Sequence, residues 1–344
     1  MLKKKKISIN DIARKFNTSK STVSFILNGK AKEKRISEEL TRNVLNHIEE
    51  IGFRRDSVAL SLATGKTNTI GLIVENIGDP FFASVASLIE EKAYENKYKI
   101  SYSSTNGKTS KAISLINMFN DRKVDGYIIC PPEHVDKQVK ALIEEGTPTI
   151  LFDRFIPELQ ADYIGIDNLE ITFKAVKHLY ESGYRNIALV TLDSAQTQMQ
   201  ARLEGYNKFI EKKNMQEYLL KIPFNLPEEQ SISRITTFLK RNKNIDAILF
   251  ATNYLAVRGL QSIRQLSLSI PDQIGVVAFD DNSLFKLYSP SITAIAQPIE
   301  ELSEKLIDML LERMKESPTR GRRKKVIVPA KLVVRESTRK STAN

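Results

Sequence analysis

The most constraining feature of the chain is a pair of short helical patterns separated by a polar turn, between Ser8 and Gly29. Apolar residues recur at helical spacing on both sides of Asn17-Thr18-Ser19, which has the chemistry of a turn followed by a helix N-cap. Asn28-Gly29 is typical of a helix end. The pattern predicts a helix-turn-helix, whose second helix can enter the major groove of DNA. An ordinary helical subdomain without a nucleic-acid role is compatible with the same pattern.

The second of these helices has an apolar face and a polar face. Val23, Ile26 and Leu27 are expected to point inward. The opposite face, which would meet the base edges, carries Lys20, Ser21, Ser24, Phe25 and Asn28. A third helix is expected after an N-cap at Ser37, with inward-facing Leu40, Val44, Leu45, Ile48 and Ile51.

Positive charge is concentrated in the same part of the chain. Residues 1–66 contain 15 Lys and Arg against 7 Asp and Glu, a net charge of +8 out of +11 for all 344 residues. Clustered positive charge releases counterions from phosphate and supplies affinity that does not depend on base sequence. Lys3 to Lys6 fit either a basic arm or a solvated tail. The charge favours DNA binding over an ordinary helical subdomain.

Composition narrows the class of protein further. The apolar content of 41% is that of a globular protein, and no run of 18 apolar residues predicts a membrane span. The basic N-terminus lacks the apolar core of a signal peptide, so we expect a cytoplasmic, nucleoid-associated protein. The single cysteine, Cys130, excludes an internal disulfide. Three scattered histidines and the lack of a phosphate loop predict no metal, no cofactor and no enzymatic activity.

From Thr69 onward, short apolar strand patterns alternate with helical ones. Such alternation predicts an α/β fold with parallel sheets covered by helices on both faces. Ligands bind beyond the carboxyl ends of parallel strands, and two facing lobes would place a ligand between them. The candidate strands are 69–75, 99–104, 126–130, 148–152, 163–166, 186–191, 247–251 and 274–279.

Several motifs together resemble the LacI/GalR (lactose-repressor/galactose-repressor) family of bacterial transcription regulators. They are S-I-x-D-I-A, T-S-x-S-T-V-S-x-x-L-N-G, I-S-E-E, I-E-E-I-G-F and A-x-S-L-A-T-G-K-T-x-T-I-G-L-I-V. The resemblance continues over nearly the whole chain and implies a helix-turn-helix headpiece joined to a two-lobed core like that of periplasmic binding proteins. The implied domains are a headpiece over 1–54, a hinge helix and linker over 55–68, a core over 69–340 and a tail over 341–344. The implied lobes are about 69–166 with 299–324, and about 167–298 with 325–340.

The resemblance also implies a role for the hinge. In the family, two hinge helices pair across a dimer and a leucine from each enters the minor groove, where it can unstack a base step. Leu62 matches that leucine, although packing against the core is the alternative. Arg55 stands where the family usually has proline, and Phe25 stands where it often has a basic or hydrogen-bonding residue. The operator sequence therefore cannot be transferred from relatives.

Polar side chains that follow the predicted strands match the effector pocket of the family. The expected effector-binding residues are Phe81, Asp153, Arg154, Asp167, Arg202, Asn253, Tyr254 and Asp280. Carboxylates, guanidinium groups and an aromatic wall suit a polyhydroxylated ligand. Asp167 and Asp280 could instead cap the helices that follow them, Arg202 could form a surface ion pair, and Phe81 or its neighbour Phe82 could belong to the core. Phe224 is a further candidate for the wall.

Tyr254 departs from the family, which often has an aspartate at this position. The tyrosine argues against an ordinary neutral hexose and leaves an anionic or a larger sugar as alternatives. The sequence as a whole predicts a homodimeric transcription repressor that binds pseudo-palindromic double-stranded DNA and a sugar-like effector. A free solute-binding protein and a sugar-modifying enzyme on the same core fold are the rival interpretations.

Overall fold

The computed structural model describes residues 7–53, 65–315 and 323–339. The chain divides into two compact units, Met1–Thr67 and Asn68–Asn344. The predicted basic arm at Lys3 to Lys6 and the hinge residue Leu62 lie outside the described residues. No helix within the described ranges is long and apolar enough to cross a membrane.

The described part of the first unit contains three helices, α1 (Ile9–Lys15), α2 (Lys20–Leu27) and α3 (Glu38–Glu50). Each begins at a serine whose hydroxyl accepts a hydrogen bond from a backbone N–H of the first turn, as predicted for Ser19 and Ser37. Leu45 is 43% exposed, so the prediction that it faces inward was wrong. The buried side chains of this unit are those of Ile12, Ala13, Val23, Ile26 and Val44.

In the second unit, the residues that the structure describes form two six-stranded sheets. The strands of the first are β1 (Thr69–Val74), β2 (Lys99–Ser104), β3 (Gly126–Ile129), β4 (Thr149–Phe152), β5 (Asp162–Ile166) and β11 (Lys325–Val328). They are all parallel, in the order β11-β5-β4-β3-β1-β2.

The strands of the second sheet are β6 (Ile187–Asp193), β7 (Tyr218–Pro223), β8 (Ala247–Phe250), β9 (Gly275–Phe279), β10 (Thr293–Ala296) and β12 (Lys331–Val333). Their order is β12-β10-β9-β8-β6-β7, and only the β10–β12 pair is antiparallel. The central strands of both sheets are buried throughout, as expected for parallel strands covered on both faces.

Helices connect the strands. Those between strands of the first sheet are α4 (Pro80–Glu95), α5 (Thr109–Asp121) and α6 (Asp136–Glu144). Those connected with the second are α7 (Asn168–Glu181), α8 (Thr197–Lys212), α9 (Glu228–Arg241), α10 (Asn253–Gln265) and α11 (Ser283–Leu287). The last long helix, α12 (Ile299–Lys315), returns to the first sheet and packs beside α4. Each sheet with its helices forms one lobe.

The chain crosses between the lobes three times, after β5, after β10 and after β11. The third crossing differs from the boundary predicted at residue 325. Lys325–Val328 pairs with β5 in the first lobe, so the chain crosses only at residues 329–330. The reason is local: β11 extends the first sheet at its edge, and Pro329 follows it, where no backbone N–H is available to continue the ladder.

Candidate functional site

The outer face of α2 presents the side chains predicted to meet DNA. Lys20, Ser21 and Asn28 are exposed, and Ser24 and Phe25 are partly buried. Val23 and Ile26 occupy the opposite face and are 0% and 3% exposed. The structure therefore brings the five predicted residues together on one face of a short helix.

Phe25 has a cationic neighbour from the loop that follows α2. The Lys34 ammonium lies 5.5 Å from the centre of the Phe25 ring and also pairs with Glu33 at 3.1 Å. The ring does not belong to the apolar core of the unit. An aromatic surface with a lysine over it can combine an apolar contact to a base with a phosphate contact.

A cavity of about 790 Å³, the outer chamber, lies between the two lobes of the second unit. A smaller cavity of about 40 Å³, the inner chamber, lies next to it. Both are lined from the first lobe and the second lobe, beyond the carboxyl ends of the strands, where parallel sheets bind ligands. The residues that line both chambers are Glu75, Asp79, Phe81, Asn253, Tyr254, Asp280 and Gln297.

Three aspartates converge on these chambers. Burial raises the pKa of Asp280 to about 6; the positive charge of Arg202 and the hydrogen bond from Gln297 oppose this shift, and the carboxylates of Asp79 and Asp153 add to it. Burial likewise raises the pKa of Asp79, the N-cap of α4. Gln297 Nε2 donates to Asp280 Oδ1 at 2.6 Å. The chambers are consequently rich in hydrogen-bond acceptors that repel one another.

The two predicted arginines are buried and held by protein groups. Arg154 Nη2 lies 2.6 Å from Glu75 Oε2, and its Nε lies 3.4 Å from Asp153 Oδ2. Arg202 donates to the Asn168 side chain at 2.8 Å and to the Ala251 carbonyl at 2.6 Å. These contacts use much of the donor capacity that a ligand could have claimed.

Arg202 also stacks on an aromatic ring: its guanidinium carbon lies 3.4 Å from the centre of the Phe279 ring. Burial lowers the pKa of Arg202 although Asp280 and Asp153 oppose that shift. Arg202 lines only the inner chamber, so the alternative of a surface ion pair is excluded by its position.

Two neighbouring residues at the start of α10 face the chambers. Asn253 Nδ2 donates to Asp79 Oδ1 at 3.3 Å, which joins the second lobe to the first. Tyr254 lines both chambers, and its hydroxyl is buried. Burial raises the pKa of this hydroxyl above its ordinary value.

Seven of the eight predicted effector residues line a chamber, and Asp167 does not. Asp167 is exposed and accepts a hydrogen bond from the Glu170 N–H at 3.0 Å, so it caps α7. Asn168, the next residue, is buried and points to Arg202 instead. Phe81 lines both chambers, whereas Phe82 lines only the inner one.

Among the residues that line both chambers, sequence reasoning missed Glu75 and Gln297. Glu75 directly follows β1, so the same strand-end rule that identified Asp153 could have found it. Gln297 lies where the chain crosses between the lobes, and no local pattern marks that position.

Other contacts hold the two lobes together around the chambers. Glu133 of the first lobe accepts hydrogen bonds from the Ser194 hydroxyl and the Ala195 N–H, both at 2.9 Å. Thr197 Oγ1 accepts from the Phe155 N–H at 3.2 Å. Gly107, with φ of +68°, lies so close to the Phe224 ring that a side chain there would collide with it. The described structure is therefore closed across the cleft.

Comparison with known proteins finds a family model that matches part of each unit. Residues 8–56 match the family described as bacterial regulatory proteins, lacI family. Residues 176–338 match the periplasmic binding protein-like domain. The predicted combination of a helix-turn-helix headpiece with a two-lobed α/β core is thereby confirmed.

Relatives match the chain from end to end. The ribose operon repressor of Haemophilus influenzae is 28% identical and aligns over 96% of this chain and 98% of its own length. The transcriptional regulator DegA of Bacillus subtilis is 29% identical over 97% of this chain and 98% of its own. Because these relatives are named as regulators, the prediction that the chain is not an enzyme is confirmed.

Among solved structures, the lac repressor dimer bound to operator and the anti-inducer ONPF shares the fold, with a TM-score of 0.82. It is 20% identical, and the match covers 97% of this chain and 99% of that one. The matches of the headpiece, of the core and of the full-length relatives all indicate the same domain organisation. The N-terminal unit belongs to the lacI family of bacterial regulatory proteins, and the chain, which matches transcription regulators over nearly its whole length, is a DNA-binding regulator.

Proposed function

We propose that this protein is a homodimeric repressor, acting in the cytoplasm on nucleoid DNA, whose effector is a neutral saccharide of more than one ring. The observation that carries the effector class is the outer chamber of about 790 Å³, rich in carboxylates. Pockets that take drug-sized ligands measure roughly 300–1,000 Å³, and this one lies well up that range. A single sugar ring would leave much of it unfilled.

The charges of the site favour a neutral ligand over an anionic one. Asp79 and Asp280 line both chambers, whereas Arg154 and Arg202 line only the inner one and are engaged by protein acceptors. The outer chamber is lined by five carboxylates against two cationic side chains, Arg258 and Lys286, so its charge balance disfavours an anion. Sugar hydroxyls, in contrast, donate hydrogen bonds to carboxylates and bring no charge.

The aromatic and apolar part of the outer chamber suits the weakly apolar faces of sugar rings. Phe81 belongs to the first lobe, and Phe224, Val257 and Leu284 belong to the second. Rings bound between these side chains would exclude water from the hydroxyl contacts deeper in the cleft and so strengthen them.

Effector binding would act through the distance between the lobes. Asp79 and Asp280 lie on opposite lobes. In the closed cleft their negative charges repel each other, which raises the free energy of the closed form. Hydroxyl donors placed between them would offset that repulsion and favour the closed form. A ligand shifts the equilibrium between the open and closed forms only by the difference between its affinities for them. The contacts of ligand hydroxyls with both Asp79 and Asp280 supply that difference.

The test combines calorimetry with DNA binding. The purified chain is titrated with neutral disaccharides, neutral monosaccharides, uronic acids and sugar phosphates, and gel shifts on its own upstream DNA are repeated with each ligand. We expect a neutral disaccharide to bind and to change the DNA affinity. Binding of only the acids, or binding without any effect on DNA, would contradict the proposal. DNA binding itself separates the repressor from a free solute-binding protein.

A further inference from the structure

We infer that Lys34 is a specificity-determining residue of the DNA-binding unit, and that it reads a guanine in each half-site. The observation behind the inference is the position of its side chain. The Lys34 ammonium lies over the ring of Phe25, the aromatic residue on the outer face of α2. The inference concerns DNA contacts alone and does not depend on the proposed effector.

The segment that carries Lys34 is ordered by its own backbone. Residues 28–37 connect α2 with α3. The Lys34 N–H donates to the Lys30 carbonyl at 2.9 Å. The Ile36 N–H donates to the Ala31 carbonyl, also at 2.9 Å, and both of these apolar side chains pack against the core of the unit. The segment is therefore an anchored turn that holds Lys34 beside α2.

Two contacts position the Lys34 side chain. Its ammonium lies 5.5 Å from the centre of the Phe25 ring and 3.1 Å from the Glu33 carboxylate. The hydrogen bond with Lys34 lowers the pKa of Glu33, so this carboxylate is charged at neutral pH. The Lys34 side chain is nonetheless 43% exposed, and an ammonium has three donors. A side chain that is positioned before binding loses less conformational freedom when it binds.

The neighbouring carboxylate decides which partner on DNA suits Lys34. A lysine beside the major groove can meet a phosphate or a base edge. A phosphate at Lys34 would be repelled by the Glu33 carboxylate, whereas the O6 and N7 atoms of guanine are uncharged acceptors that lysine contacts. Lys30, Lys32 and Arg35 are exposed on the same turn and can serve the phosphates. Lys34 is thus the cation of the turn best suited to a base.

Lys34 also supplies what the Phe25 ring lacks. A phenyl ring can contact a thymine methyl group but has no donor for guanine. Neighbouring base pairs lie roughly 3.4 Å apart along the DNA axis. An ammonium 5.5 Å from the ring centre therefore reaches a base within about two steps of that thymine. The two side chains together would read a thymine and a nearby guanine.

The test selects binding sites from random DNA with the full-length protein and without any sugar. The proteins compared are wild type, Lys34→Met, Lys34→Arg and the matched control Lys32→Met. In wild-type sites we expect guanine to be preferred roughly fivefold or more at one position within two base pairs of the thymine. Lys34→Met should lose that preference. Lys34→Arg should keep it, because arginine bonds to the same guanine atoms, and Lys32→Met should keep it as well.

A salt series on the selected sites separates a base contact from a phosphate contact. Loss of one phosphate contact in each headpiece would make the slope of log affinity against log salt shallower by about 0.9 for each headpiece. We expect no such change in Lys34→Met. That change with an unaltered guanine preference would make Lys34 a phosphate contact and overturn the inference. Wild-type sites without a guanine near the thymine would overturn it too. Lys34→Ala replaces Lys34→Met if the methionine variant does not fold.

Discussion

At the carboxyl ends of β4 and β9, one in each lobe, an aspartate adopts left-handed backbone geometry. Asp153 and Asp280 both have φ of +65°, a region that side chains other than glycine seldom occupy. Aspartate tolerates it better than most residues, and the turn directs both carboxylates towards the inner chamber. Backbone strain of this kind gathers at binding sites, where the surrounding structure holds it in place.

The raised pKa of Asp280 predicts a pH-dependent stability of the core. An acid whose folded pKa lies near 6, above its ordinary 3.8, destabilises the fold when it is charged. That cost is present above pH 6 and disappears as the pH falls through 6 towards 4. Asp280→Asn should therefore raise the melting temperature at pH 7.5 by about 2 °C or more, and the gain should shrink at pH 5. Thermal unfolding at the two pH values measures it.

Asp281→Asn is the control for this prediction. Asp281 accepts two hydrogen bonds from Arg335, at 2.9 and 2.7 Å, so its removal leaves a guanidinium poorly paired. This variant should lose stability at pH 7.5. A loss of stability in Asp280→Asn of the same sign would show that the Asp280 charge is not a cost to the fold.

Phe25 on the outer face of α2 predicts an unusual base preference. A phenyl ring cannot make the paired hydrogen bonds to guanine that arginine makes, but it can contact a thymine methyl group. Phe25→Ala should weaken operator binding and relax the preference at one thymine position of each half-site. Leu45→Ala, an exposed apolar residue on α3, should leave both unchanged. Identical base preferences in wild type and Phe25→Ala would make Phe25 a packing residue.

At the residue scale, the sequence predicts which types of residue a site contains better than it predicts where each side chain points. Asp167 and Asn168 both follow β5 and both could point into the core, yet only Asn168 does, where it accepts a hydrogen bond from Arg202. The side chain of Asp167, at the N-cap, turns back onto the helix. The side chain of Asn168, one residue later, is rotated by about 100° about the helix axis. Leu45 fails for the same reason, because Val44 beside it takes the inward position.

At the scale of elements, the short segment between β6 and α8 ties the two lobes together. Its Ser194 and Ala195 bind Glu133, and Thr197 at the start of α8 binds the backbone of Phe155. Glu133 follows β3 and lines neither chamber. It therefore affects the closed form of the core without taking part in ligand contacts.

Glu133→Ala should destabilise the closed form. It removes an acceptor shared by a hydroxyl and a backbone N–H, and hydrogen bonds to charged groups contribute about 1.5–3 kcal/mol. If the effector binds the closed form, its affinity should fall about tenfold in calorimetric titration, with the same ligand ranking as wild type. Glu145→Ala, an exposed acid at the end of α6, is the control. Equal affinity in all three proteins would exclude a role for Glu133 in closure.

Among the elements, the alternation of strands and helices predicted the centre of both sheets and missed four strands. The missed strands are β7, β10, β11 and β12, and all but β10 lie at sheet edges. The residues of these edge strands are partly exposed to solvent, so their apolar patterns are weaker than those of buried strands. β10 is only four residues long and contains two alanines.

At the scale of the whole molecule, the chain couples a basic helical unit to an acidic cleft. The headpiece carries the phosphate-binding charge, and the cleft carries buried carboxylates, so the two ends respond to opposite kinds of ligand. Coupling between them is reciprocal: whatever factor the effector applies to DNA affinity, DNA applies to effector affinity.

The distribution of charge predicts how DNA binding depends on salt and on symmetry. A dimer with two headpieces should prefer pseudo-palindromic DNA with half-sites about one helical turn apart. Each phosphate contacted adds about −0.9 to the slope of log affinity against log salt, so binding should weaken steeply between about 50 and 200 mM salt. Lys20→Gln should make the slope shallower by about one contact in each headpiece without changing base preference, whereas Phe25→Ala should change base preference and leave the slope alone. Fluorescence anisotropy over a salt series measures both. A wild-type protein with equal affinity for random and palindromic DNA would not be a sequence-specific repressor.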